Sequence, residues 1–146
     1  MQKIKIIYSL LSLLFLIMGM SIYFFFRNLN NLLLFAWLPK PEFLLTTPLI
    51  SFNTDTIWGY LFVFNMPHGL WCLSGLFVIR AIWLTNIKWR AIYAGIFIAA
   101  ASSLEISQLS DNRPGTFDTL DLASYGLAVF LESITFHNFT KRRILC

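Results

Sequence analysis

Between Glu105 and Tyr125 the chain reads EISQLSDNRPGTFDTLDLASY, and this stretch holds Glu105, Asp111, Asp118 and Asp121 out of seven acidic residues in all. Glu105 and Gln108 are three apart and share one helix face, while Asp118, Asp121 and Tyr125 line up on the next helix. Arg113 lies between the two groups, and its planar fork can hold a carboxylate bidentately. His68, just after Asn65-Met66-Pro67, adds a ring able to exchange a proton near neutral pH. Such a set suits recognition of a polar headgroup, with His68 and a carboxylate as acid and base in a more demanding use. It suits a plain brace equally well, with Asp118 as N-cap, Asp121 in the same first turn and Arg113 locking the loop. No nucleophile motif accompanies these residues, so no catalytic residue is assigned. No His-x-x-Glu or His-x₃-His spacing is present either, so neither metal nor cofactor is expected.

The elements that hold these groups follow from composition. The chain has 146 residues, 58% hydrophobic and 17% aromatic, with fifteen Phe and only 18 charged residues. A soluble domain of this length carries about 36 charges, so water alone cannot be the solvent. The net charge is +4, but the cations sit in short clusters between apolar blocks, as topology signals do. Nucleic acid is therefore not an expected partner. Cys72 and Cys146 offer neither a disulfide framework nor ligand spacing.

One membrane domain spanning 1–146 is expected, all-α and polytopic, with four transmembrane helices. Residues 6–26 form an uncharged run long enough to cross hydrocarbon, too long for the apolar core of a cleavable signal. The stretch 28–56 is broken by asparagines and by Pro39 and Pro41, and reads as an interfacial segment, with Trp37 and Lys40 suited to the headgroup zone. Asn65 and Pro67 predict an N-cap and first turn, placing the second span at 67–86 and leaving Trp58 and Tyr60 in an interfacial approach. Arg80, in the last third of that helix, is placed to snorkel beside Trp83. The third span falls at 91–109, where Gly95, Ala99, Ser103 and Ser107 make a stripe that another helix backbone can approach closely. The fourth falls at 120–136.

With four spans, Lys3, Lys5, Lys88, Arg90, Lys141, Arg142 and Arg143 share one face, against Arg27, Lys40 and Arg113 on the other. The positive-inside rule then puts both termini in the cytoplasm and the polar cluster at the outer face of the cell membrane.

The run Asn65-x-Pro67-His68-Gly69-Leu70-Trp71, the pair Glu105-x-x-Gln108 and the loop Arg113-Pro114-Gly115-Thr116-Phe117-Asp118-Thr119-Leu120-Asp121 together resemble the VanZ-like family. These are small bacterial integral membrane proteins named for a teicoplanin-resistance protein. The resemblance covers about 65–129. It departs from the family where an Asn is usual four residues beyond the second Asp, since Tyr125 stands there, followed by Gly126. The resemblance implies reduced susceptibility to glycopeptide or lipopeptide antibiotics, and it carries over Glu105, Gln108, Arg113, Asp118, Asp121 and His68. Three functions follow. One is an outward-facing pocket for a membrane lipid, a lipid-linked cell-wall precursor or such an antibiotic. The second is an accessory subunit packed against a larger membrane-protein partner. The third is an intramembrane enzyme acting on lipid-linked phosphate.

Overall fold

The computed structural model describes residues 2–27, 48–109 and 117–144, with side chains as far as 135. Arg113, Cys146 and the Trp37–Lys40 part of the expected interfacial segment lie outside the described residues. Among those described there are four long helices and no strand: α1 (Gln2–Phe26), α2 (Ile57–Ile82), α3 (Ile87–Ser107) and α4 (Thr119–Ile144). The all-helical architecture expected from the sequence is present. Both α1 and α2 are long and apolar enough to cross a membrane.

The second helix departs from expectation. It starts at Ile57 rather than Pro67 and ends at Ile82, where Trp83 caps it. Its N-cap is Thr56, whose hydroxyl accepts the Gly59 N–H at 3.2 Å. A Cβ on Gly59 would collide with the Asn53 carbonyl, so the turn before the helix can close only over glycine. Trp58 and Tyr60 are thus helical, not an approach to the helix. Pro67 is tolerated in the interior because the preceding stretch, Leu61–Asn65, is a π turn in which the Met66 N–H reaches back to the Leu61 carbonyl. In a regular α-helix the Pro67 nitrogen would have to serve the Val63 carbonyl, and it has no hydrogen to give. The widened turn absorbs that defect. Asn65 accordingly makes no capping bond, and its side chain is released for tertiary contacts.

Helix α2 is the centre of the molecule, packing most extensively against α1, next against α4 and more lightly against α3. Tyr8, Cys72, Leu73, Leu76, Phe77, Ala81 and Ala128 form the core, with Phe15 stacked on Phe77 at 5.7 Å between ring centroids. Gly19 brings α1 and α2 close, since a Cβ there would stand 2.6 Å from the Trp71 ring. At the turn into α3, Asn86 caps the helix through its side-chain oxygen, which accepts the Trp89 N–H, and Trp83 stacks on Tyr93. Outward, Leu10, Leu13 and Ile17 of α1, Ile96 and Leu104 of α3 and Phe130 of α4 are exposed, a surface matched to hydrocarbon.

Two further expectations change. Arg80 does not snorkel: it is 4% exposed, bonds Glu132 of α4, and lies over the Tyr8 ring. The Gly95–Ala99–Ser103 stripe faces away from the described helices, with open space where a Gly95 Cβ would sit.

Candidate functional site

All four helices send polar side chains to one end of the bundle. The last turn of α1 supplies Tyr23, with Arg27 just beyond it; the first half of α2 supplies Tyr60, Asn65 and His68. The last turn of α3 supplies Glu105, and Asp118, Asp121 and Tyr125 come from the start of α4. Each position has a local cause. The π turn swings Asn65 inward, and His68 follows on the same face of α2. Asp118 precedes α4 and accepts the Leu120 N–H at 2.8 Å through Oδ1, which is the cap expected of it.

Asn65 is the hub. Its Nδ2 donates to Asp118 Oδ2 at 2.9 Å and to Asp121 Oδ1 at 2.7 Å, which ties α2 to α4. The Tyr60 hydroxyl donates to the same Asp118 oxygen at 2.9 Å. Glu105 joins from α3, with Oε1 accepting the Asp118 N–H at 3.0 Å. His68 Nε2 lies 3.0 Å from the Tyr23 hydroxyl, and its Nδ1 lies 3.6 Å from Asp121 Oδ2 and 3.4 Å from the Tyr125 hydroxyl. One donor atom each from His68, Glu105 and Asp121 falls within 4.8 Å of the other two.

The group is buried and negative. Asn65, Glu105 and Asp121 are 1%, 3% and 7% exposed, so bulk water does not satisfy them. Among the described residues neither Glu105 nor Asp121 has a Lys or Arg ion pair. Buried carboxylates this close need a counter-charge or a shared proton. The buried Asn65 Oδ1 also has no hydrogen-bond partner among the described residues. Burial alone would push the Asp118 carboxyl up, but hydrogen bonds from Asn65, the Leu120 N–H and Tyr60 outweigh it. They hold that group below the usual carboxylate range. Arg27 borders the cluster with its guanidinium 4.4 Å from the centre of the Tyr23 ring, and its buried Nη1 meets no acceptor among the described residues.

Of the residues singled out in the sequence, the structure brings His68, Glu105, Asp118 and Asp121 together. Gln108 caps α3 through its backbone N–H, bonded to the Glu105 carbonyl, and its side chain has no hydrogen bond to the network among the described residues. Arg113 lies outside the described residues, so the carboxylate partner expected of it is not seen. Asn65, Tyr23, Tyr60 and Arg27 were not singled out for the site. A signal existed for two of them: Asn65 is three residues before His68, and Tyr23 is four before Arg27.

Beside the cluster, α2 and α4 part to leave an apolar slot of about 160 Å³, lined by Met66, Gly69, Leu73, Ser124, Leu127 and Leu131 among others. Gly69 is what keeps it narrow yet open, since a Cβ there would touch Ser124 at 3.4 Å. Comparison with known protein families, with curated proteins and with solved structures finds no match for the chain.

Proposed function

We propose that the chain is a four-span protein of the cell membrane that binds an amphiphile, its polar head at the cluster and a hydrocarbon chain in the α2–α4 slot. One observation carries this reading: the slot opens between α2 and α4, the same two helices that Asn65 ties together at the cluster. Gly69 adjoins His68 in sequence, and Ser124 stands three residues beyond Asp121. A site that only braced the helices would need no apolar slot at its edge. The four-span topology places the cluster at the outer face, with both termini cytoplasmic, where lipid headgroups, lipid-linked cell-wall precursors and glycopeptide or lipopeptide antibiotics are met. The resemblance to the VanZ-like family favours the same set of ligands.

The test uses the full chain in lipid nanodiscs and three ligands: a plain phospholipid, a lipid-linked cell-wall precursor and a lipoglycopeptide. At least one is expected to bind saturably at one per chain. Ser124→Phe, which fills the slot, is expected to weaken it tenfold or more while the protein stays monodisperse. Equal binding by wild type and Ser124→Phe, for every ligand, would refute the proposal. Cysteines placed at Arg27 and Asp118 should react with a membrane-impermeant reagent from outside intact cells. Labelling only from the cytoplasmic side would overturn the topology.

The outward Gly95–Ala99–Ser103 stripe favours a second reading, an accessory subunit beside a larger membrane protein. A stoichiometric partner retained in mild detergent, and lost on Ala99→Leu, would support it. A clean monomer would count against it.

A further inference from the structure

We infer that His68, Glu105 and Asp121 form a site for one divalent cation of the zinc or manganese class. It rests on reading this cluster as a ligand site and goes further by naming an ion as what the cluster holds. The donors come from three helices, and one atom from each lies within 4.8 Å of the others. The spacing between His68 Nδ1 and Asp121 Oδ2, 3.6 Å, is too long for a good hydrogen bond. It is the spacing two ligands adopt when each stands about 2.1 Å from one ion at a near-tetrahedral angle.

The atoms not facing the centre are tied down, as outer-sphere partners tie metal ligands. His68 Nε2 is held by the Tyr23 hydroxyl, which leaves Nδ1 toward Asp121 and the Tyr125 hydroxyl. Asp121 Oδ1 accepts from Asn65, which leaves Oδ2 toward His68. Glu105 Oε1 accepts the Asp118 N–H, and no other hydrogen bond reaches that carboxylate among the described residues. A second, independent feature points the same way. Asn65, 1% exposed, bonds Asp121 through Nδ2 while its Oδ1 has no hydrogen-bond partner among the described residues, an oxygen of the type that hard and borderline cations take as a ligand. Two buried carboxylates and a neutral imidazole match a doubly charged ion in charge and donor type. The imidazole favours zinc over calcium or magnesium, and the two carboxylates also suit manganese. With three protein ligands a coordination position stays open, through which the ion can meet a phosphate or carboxylate oxygen of the amphiphile.

The full chain, stripped with a chelator in nanodiscs, is titrated with Zn²⁺ and with Mn²⁺ alone. One equivalent per chain is expected for at least one of them by elemental analysis after desalting. His68→Ala, Glu105→Gln and Asp121→Asn are each expected to lose at least tenfold in affinity, and Asp55→Asn, at an exposed position, to lose none. Should those three variants misfold, Tyr23→Phe, which only releases the far side of the imidazole, is expected to weaken binding about tenfold or more. Retention below a tenth of an equivalent by the wild type, or wild-type affinity in both Tyr23→Phe and Asp121→Asn, overturns the inference. Amphiphile binding that survives stripping, together with no bound metal, sinks the cation alone. Metal bound at one equivalent without amphiphile binding sinks the earlier proposal and leaves the cation standing.

Discussion

The two ends of the bundle bury charge in opposite ways. At one end Arg80 of α2 and Glu132 of α4 meet directly, one cation on one anion, packed against the Tyr8 ring. At the other, the same two helices are joined by an amide, Asn65, that donates to two carboxylates at once, with Glu105 close by and an imidazole facing Asp121. Midway along α2 the partner is α1 instead, the Ser74 hydroxyl donating to the Ser12 carbonyl at 2.9 Å. A matched ion pair is complete in itself, whereas a cluster with more anions than ion-paired cations retains capacity for something else. The difference separates a clamp that holds α2 to α4 from a site that the clamp keeps in place.

The largest expected effect falls on the clamp. Glu132→Ala takes the carboxylate away from the buried Arg80 guanidinium, and breaking a buried pair by removing one partner costs about 3–5 kcal/mol. Reversible unfolding in mixed micelles should show it, with the midpoint shifted strongly toward less denaturant. The double variant Arg80→Met with Glu132→Leu should recover much of the loss, because no charge is left unpaired. An uncorrected double variant would mean that the pair does more than neutralise itself, and the contrast between the two ends would fail.

At the polar end the expected cost is smaller and falls differently. Asn65→Ala removes both donors from Asp118 and Asp121, and leaving buried acceptors unmet costs about 1–3 kcal/mol. Ligand binding should suffer more than stability, since the network that orients Asp121 is lost. A variant that unfolds as readily as Glu132→Ala would make this cluster a second clamp.

Much of the scaffold can be read from apolar runs closed by charges: α1 and α3 begin and end close to where hydropathy changes. Helix α2 cannot, because Asn65-Met66-Pro67 carries every local mark of a helix start. Only the π turn, a response to the missing Pro67 hydrogen, allows the helix to continue and turns Asn65 from cap to hub. His68, Glu105, Asp118 and Asp121 stand out in the sequence because polar groups are conspicuous in so apolar a chain. Their closeness is a tertiary fact, as is the pairing of Arg80 with Glu132 across 52 positions. Neither leaves a trace in local spacing.

The smallest effect tests whether the polar end needs its charge to fold. Asp118 caps α4 through Oδ1 and takes hydrogen bonds from Asn65 and Tyr60 through Oδ2. Asn caps a helix about as well as Asp, so Asp118→Asn should keep the first turn of α4 intact through its side-chain oxygen, while its amide nitrogen can no longer accept from Asn65 and Tyr60. Asp118→Ala should cost about 1 kcal/mol through loss of the cap. Amide exchange at Leu120 and Asp121 reads that loss directly, because the frayed first turn opens before the rest of the helix. If Asp118→Asn frays α4 as much as Asp118→Ala does, the charge itself holds the turn. The polar end would then be a structural brace like its counterpart at Arg80 and Glu132.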